Sequence, residues 1–368
     1  MIVALWLAIF SVFAGSYASY FLYLRFQARK PWGLKIDSQF RPRVTILIPA
    51  RNEEKTIQRK LENAAQVSYP REKIEVILID DESTDQTLTK AQDFASKHPD
   101  LPLKILSQCP RKGKACALNK GLQASTNDVI IVSDADAFWS ATILEKVLPY
   151  LSDPTVGALS GRQTPESQTQ SWVTQAEKGY LDFMSTWRLG ESKVHSTIRF
   201  EGVFCAFKKE AFKEFDSESG ADDSGTALRV VQNRFRAILV PEASVPSEVS
   251  SVLKDRTSAK IRRATQLTGL WFQCLTLLLK GRLLLPKKIA VPEIFLSIFA
   301  PFVFVALIPL TIILFLLNPI MLIPFILILG GLSLIPRTRS LLAQGIMDQL
   351  TLFYSVILHA RKKRFTSW

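Results

Sequence analysis

Histidine and cysteine are scarce in this chain, at three and four of 368 residues. His98, His195 and His359 are scattered, and Cys109, Cys116, Cys205 and Cys274 show no C-x-x-C spacing. That pattern excludes a zinc site and a disulfide framework. Reduced thiols suit a cytoplasm-facing chain. Charge is missing altogether from three long stretches, 2–24, 294–317 and 319–335. A helix crosses a bilayer with roughly 20 apolar residues, so two or three spans are expected. The first run begins MIVALW, without a basic leader, and is long for a signal peptide, so it reads as an uncleaved anchor. Spans this few, with no ionisable residue inside them, exclude a transporter. The chain shows no internal repeat and no low-complexity segment.

What is present in excess is positive charge, net +13. Its placement argues for a membrane partner and against nucleic acid. Arg25, Arg29, Lys30, Lys35, Arg41 and Arg43 follow the first apolar run, and Lys280, Arg282, Lys287 and Lys288 precede the second. Arg337, Arg339 and the tail ARKKRF follow the third. Basic flanks mark the cytoplasmic side of spans and attract anionic lipid. One topology satisfies all of them: a cell-membrane, multi-pass chain with its N-terminus outside, residues 25–288 cytoplasmic, a turn outside near Asn318-Pro319 and the C-terminus inside. The expected organisation is an anchor at 1–25, a catalytic domain at 43–250 and an amphipathic interfacial region at 251–288. A transmembrane hairpin at 289–336 and an interfacial helix with a basic tail at 337–368 complete it.

Between the apolar runs the sequence alternates. Strand patterns at 44–48, 74–79, 103–107 and 128–133 are separated by helical patterns at 53–66, 85–98 and 114–125. This predicts an α/β fold of βαβ units, its strands buried on both faces. Ligands of such sheets bind beyond the carboxyl ends of the strands. Those ends read PARNEE, DDESTDQT and SDAD. Residues 155–250 are less regular. Residues 171–190 read as an aromatic-striped helix and 222–240 as a helix followed by a strand. Residues 251–279 run from basic to apolar, as an interfacial helix does.

Asp134 and Asp136 sit one residue apart at a strand end, where unpaired carboxylates repel. Mg²⁺ or Mn²⁺, with one or two carboxylates and substrate phosphates as ligands, relieves that repulsion; capping of a helix starting near Ser140 is the alternative. Lys112 and Lys114 open a helix and suit phosphate, or form a solvated face. Asp222 and Asp223 open another helix, as caps or as the source of a general base. Arg262 and Arg263 suit a leaving diphosphate, or a lipid surface.

Together PARNEE (49–54), DDESTDQT (80–87), KGKACALNKG (112–121), DAD (134–136), the acidic pair 222–223 and KIRRA (260–264) resemble the membrane-bound family 2 glycosyltransferases. These have a GT-A fold, and the group includes ceramide glucosyltransferase and the hyaluronan and poly-N-acetylglucosamine synthases. The resemblance covers about 43–270. It implies a mixed, Rossmann-like sheet that binds a nucleotide-sugar donor. Ala50 and Glu53 would line the nucleoside pocket, Asp81 would contact the base and Lys114 the nucleotide. Asp136, helped by Asp134, would hold the metal, and Asp223, beside Asp222, would be the base. Arg262 and Arg263 would meet the diphosphate, and FEGVFCAF (200–207) would shape the acceptor site. The implied reaction is inverting transfer, from a UDP-sugar by preference, to a lipid or lipid-linked glycan acceptor. Lys260 and Ala264 stand where the family commonly has Gln or Arg and Trp, and the pair is Asp-Asp instead of Glu-Asp. These departures argue against processivity. A processive polysaccharide synthase remains the alternative within the class. A metal-dependent nucleotidyltransferase and a non-catalytic nucleotide-binding scaffold are the alternatives outside it.

Overall fold

A computed structural model describes residues 2–166, 172–248, 253–334 and 336–361. The chain opens with α1 (Ile2–Ala28) and enters an α/β region. There β1 (Val44–Ala50), α2 (Ile57–Ala65), β2 (Ile74–Asp80), α3 (Thr87–Lys97), β3 (Leu103–Ser107), α4 (Lys114–Ala124) and β4 (Val129–Val132) alternate as the sequence predicts. The less regular stretch resolves into α5 (Ile143–Val147), β5 (Val156–Glu166), α6 (Trp172–Val194), β6 (Cys205–Lys208), α7 (Asp222–Gln232) and β7 (Arg236–Glu248). Then come α8 (Leu253–Leu279), α9 (Lys287–Ile294), α10 (Ala300–Leu317), α11 (Leu322–Leu334) and α12 (Pro336–Ala360).

The strands form one seven-stranded sheet in the order β3-β2-β1-β4-β6-β5-β7. β3, β2, β1 and β4 are mutually parallel, with Val44 facing Ile74 on one side and Val129 on the other. β6 runs antiparallel to both β4 and β5, so the sheet is mixed. β1, β2 and β4 are buried along their whole length, as continuous apolar strands between helical layers must be. One core cluster holds Ile46, Ile48, Val76, Leu78, Ile131, Phe204 and Ala206 against Ile57, Leu61, Phe94 and Leu148.

Two compact units divide the described residues. The sheet unit consists of Lys30–Thr164 with Glu191–Ser247. The helical unit draws on 1–29, 165–190 and 248–365, so α6 belongs to it through Gly190. Within the helical unit the aromatic stripe of α6 is packing. Phe183 stacks on Phe21 and Trp187 meets Tyr20 edge-on, with centroids 4.6 Å and 5.1 Å apart. Tyr20, Leu24, Trp187, Leu296 and Ala300 are all buried in that cluster. Gly190 permits the contact, since a Cβ there would lie 2.7 Å from Leu24 Cβ and still closer to its carbonyl oxygen.

Two helical stretches are long and apolar enough to cross a bilayer, Ile2–Ala28 and Lys287–Leu317. The second is α9 joined to α10 through a π-helical turn at Phe295–Phe299. Pro292, inside α9, lacks an amide hydrogen and disturbs the i→i−4 ladder just before that turn. Buried Glu293 accepts a hydrogen bond from Trp187 Nε1 at 2.5 Å. The third apolar run, expected to complete a hairpin, forms the 13-residue α11. At 1.5 Å per residue α11 spans about 20 Å, short of the ~30 Å hydrocarbon core.

Candidate active site

The carboxyl ends of β1 and β2 are clasped to each other by their own motif residues. Asn52 and Glu82 adopt positive φ, 54° and 59°, which turns each loop sharply off its strand. Ser83 Oγ then accepts from the Asn52 amide at 3.0 Å, Thr87 Oγ1 from the Glu53 amide at 2.7 Å, and Asp85 from the Glu54 amide at 3.1 Å. In return Asn52 Oδ1 accepts from the Thr84 amide at 2.8 Å. The Ser, Thr and Asp of DDESTDQT thus hold PARNEE. Ala50 is fully buried at the end of β1, and its carbonyl accepts from the Asp81 amide at 2.9 Å.

Asp81, the expected base contact, lies just past the end of β2. Its side chain is fully buried and accepts from the amides of Lys112 and Gly113, both at 3.0 Å, and from Gln108 Nε2 at 2.6 Å. It fixes the 108–113 loop that delivers α4. Gly113 caps α4 with φ 88°, a left-handed conformation that glycine reaches without strain.

Lys114 opens α4 and points into the acids. Its Nζ lies 2.6 Å from Asp134 Oδ1 and 3.5 Å from Asp222 Oδ2. A cation at a helix N-terminus opposes the macrodipole, and the two carboxylates offset it. Burial alone would lower this ammonium; Asp134, Asp222 and Asp223 outweigh burial and raise it well above the ordinary lysine range.

Asp134 and Asp136 follow β4 in a loop, and α5 begins only at Ile143 with Thr142 as its cap. Capping therefore does not explain them. Burial of the Asp136 carboxyl, with repulsion from Asp134, raises its pKa. Glu53 is raised as well, by burial first and then by Asp136 and Asp134 among its neighbours. Beneath this loop lies a residue that motif reading missed. Lys60 is fully buried and donates to Ser133 Oγ and to the Ala137 carbonyl, each at 2.5 Å. Its Nζ also stands 4.2 Å from the Trp139 ring centroid, and burial lowers its pKa to about 7. The signal was in the sequence: Ile57, Lys60, Leu61 and Ala64 occupy one helical face, and only the lysine is charged.

Asp222 and Asp223 are the first two residues of α7, after Ala221 as cap. The helix dipole favours their ionisation, yet burial wins, joined by repulsion from Asp134 at Asp222 and from Asp222 at Asp223. Both carboxyls are raised, Asp223 to about 7. Ser224 anchors this turn to the 200–207 segment: the Phe200 amide donates to its Oγ at 3.2 Å. Gly202 in that segment completes the cluster. A Cβ there would meet Asp134 Oδ2 at 2.8 Å and Lys114 Nζ at 2.9 Å.

The sheet unit thus brings Asp134, Lys114 and Asp222 into contact, with Asp223, Asp136 and Glu53 in electrostatic range. Ala50 and Asp81 lie beneath the loops. Arg262 and Arg263 lie on α8 in the helical unit, the first half-buried and the second exposed. A divalent cation fits the donor set. Asp134 and Asp136 offer hard oxygens in excess of the local positive charge, and no cluster of three or more potential metal-ligating side chains occurs among the described residues. Such a site leaves the rest of the coordination shell to substrate oxygens.

Residues 45–215 match the family described as glycosyl transferase family 2. The chain carries a family 2 glycosyltransferase domain. Its mixed sheet is the GT-A fold. The solved mannosyltransferase PcManGT from Pyrobaculum calidifontis, in complex with GDP-Man and Mn²⁺, superimposes with a TM-score of 0.84. The two chains are 28% identical, with 99% of this chain and 100% of that one covered. The β-monoglucosyldiacylglycerol synthase of Synechocystis is 31% identical over 211 residues, 56% of this chain and 44% of that protein. The poly-β-1,6-N-acetyl-D-glucosamine synthase of Staphylococcus epidermidis is 23% identical over 252 residues, 64% of this chain and 59% of that protein. The chain therefore spans about half the length of these two relatives.

Proposed function

We propose that this chain transfers a glycosyl group from a nucleoside-diphosphate sugar to a hydroxyl of a lipid or lipid-linked glycan, at the cytoplasmic face of a membrane. The observation that carries the reading is the gathering of Asp134, Lys114 and the Asp222/Asp223 pair at the carboxyl edge of one sheet. Ala50 and Glu53 line the nucleoside side, and Asp81 acts on it through the 108–113 loop that it holds. Asp136 and Asp134 would hold Mn²⁺ or Mg²⁺, which would supply positive charge to the diphosphate leaving group. Lys114 keeps Asp134 and Asp222 apart in charge and stands ready for the nucleotide. Asp223 accepts the proton of the acceptor hydroxyl as its oxygen bonds to the anomeric carbon and the carbon–oxygen bond to the diphosphate breaks. One displacement, with the acceptor oxygen attacking opposite the leaving group and the base taking only its proton, inverts the anomeric configuration. Arg262 and Arg263 take the diphosphate role on the strength of their motif.

PcManGT, matched along its whole length, is the reason to place GDP-mannose beside the UDP-sugars as donor. The test is nucleotide release by purified protein in native lipid extract, with UDP-, GDP- and dTDP-sugars and either metal. We expect release from one donor and its loss in Asp223→Asn. Release that survives Asp223→Asn would remove the base assignment. The poly-N-acetylglucosamine synthase relative keeps processive synthesis as a second reading, and a ladder of radiolabelled products instead of one short species would favour it.

A further inference from the structure

The buried face of α2 consists of Ile57, Lys60, Leu61 and Ala64, and only Lys60 carries a charge. An ammonium has three N–H donors, and three groups of a single turn, the one that follows β4, surround this one. Ser133 Oγ and the Ala137 carbonyl accept from Nζ at 2.5 Å each, and the Trp139 ring centroid lies 4.2 Å away. The two hydrogen bonds fall on the residues that bracket Asp134, Ala135 and Asp136. Lys60 thus spans the arc that carries both acids and pairs with neither: among the described residues it forms no ion pair. The Ala137 amide donates to the Asp134 carbonyl at 3.2 Å, which closes the turn, and Lys60 grips the same residue by its carbonyl. Other α2 side chains hold only the far end. Asn63 donates to the Trp139 carbonyl at 2.8 Å and accepts from the Trp139 amide at 2.9 Å, while Arg59 covers the Phe138 ring at 4.0 Å. Trp139 Nε1 donates to the Val203 carbonyl at 2.9 Å, which ties the turn to the 200–207 segment.

Burying an ammonium among neutral partners is costly, and an unbranched methionine would fill the same face of α2 without that cost. Asp134 and Asp136 offset part of it from beyond ion-pair distance. That charge cannot be what recommends the lysine to a metal turn, because a divalent cation on the two acids would be repelled by it. What Lys60 supplies is shape. Carboxylates already held in place lose less freedom when a cation arrives. Charge and shape therefore make opposite predictions for Lys60→Met: charge alone tightens Mn²⁺ binding, and lost shape weakens it.

We infer that Lys60 is a positioning residue: it holds the Asp134–Asp136 turn in the shape that receives the divalent cation, and so sets how far the metal tightens nucleotide binding. The inference rests on the transferase reading for the role of the turn, but its test can fail separately. Lys60→Met and Ser133→Ala, which keeps the lysine and removes one of its acceptors, are compared with the parent as full chains in detergent micelles. Hydrogen exchange is followed in EDTA, and GDP and UDP are titrated by calorimetry in EDTA and in Mn²⁺. In EDTA, exchange of the 134–139 amides should rise about tenfold or more in Lys60→Met and less in Ser133→Ala, with β1 and β2 unchanged. Nucleotide affinity in EDTA should stay within about twofold, while the gain brought by Mn²⁺ should fall about fivefold or more in Lys60→Met and about twofold in Ser133→Ala. If Lys60→Met does not fold, Ser133→Ala carries the test with the same signs. An Mn²⁺ gain in the variants equal to the parent's or larger, or unchanged exchange in the turn, would overturn the inference, whatever the melting temperature does. No Mn²⁺ gain in the parent, with the Lys60-dependent exchange intact, would support the hold on the turn and count against the metal-dependent transferase reading.

Discussion

At the scale of single residues, Asp223 carries opposite consequences for turnover and for stability. Its carboxyl is raised from 3.8 to about 7, by burial first and by Asp222 next. As a base it works deprotonated, so turnover should fall roughly tenfold per unit below pH 7 and level off above it; a flat profile between pH 5 and 8 would remove it as the base. For folding the sign reverses. An acid with a raised folded pKa contributes stability that is full below the unfolded value near 4 and is lost as pH rises through about 7. Asp223→Asn should therefore melt higher than the parent, with a gap that widens from pH 5 to pH 8 in calorimetry. Asp136 offers a separate check. Its aspartate-to-asparagine variant should bind Mn²⁺ at least tenfold more weakly by titration calorimetry while keeping its fold. Gly202 gives a third: in Gly202→Ala the new methyl must displace the ends of Asp134 and Lys114. Turnover should drop about tenfold or more with a nearly unchanged melting temperature.

Elements place these residues by means that differ in how visibly they are written. β1, β2 and β4 are continuous apolar runs, and their ends were readable as ligand edges because parallel strands buried on both faces leave function to the loops. β5 and β6 were not readable. β6 has four residues and β5 crosses Gly157 and Gly161, so neither shows a clear period. Their positions follow from the pairing of β6 with β4 and of β5 with β6, both long-range events. α6 shows the same division, since its aromatic stripe was visible while its partner α1 was not. The crossing at Gly190 and Leu24 tolerates no side chain. Gly190→Val should force α1 and α6 apart at a cost of about 1–3 kcal/mol or more. The measurement is thermal unfolding in detergent, where a melting temperature equal to the parent's would refute the close crossing.

For the molecule as a whole, the charge pattern and the two long apolar stretches, Ile2–Ala28 and Lys287–Leu317, set the expectation of stable membrane association. Alkaline carbonate should leave the chain in the pellet, whereas detergent should release it. A membrane-impermeant thiol reagent, applied to intact cells, should label a cysteine placed at Asn318 and spare Cys109, which is exposed on the sheet unit. The reverse pattern would invert the proposed topology.

The sequence by itself determined the class of fold, the apolar segments and nearly every acid at the site. Periodicity, strand-end position and motif order are local properties that a chain records residue by residue. Tertiary structure alone decided which acids share a lysine, that Asp81 supports a loop from within, and that Lys60 lies beneath the Asp-x-Asp turn. Such facts depend on distance and burial between segments remote in the chain, where low dielectric makes each unmatched charge count. No local pattern encodes them.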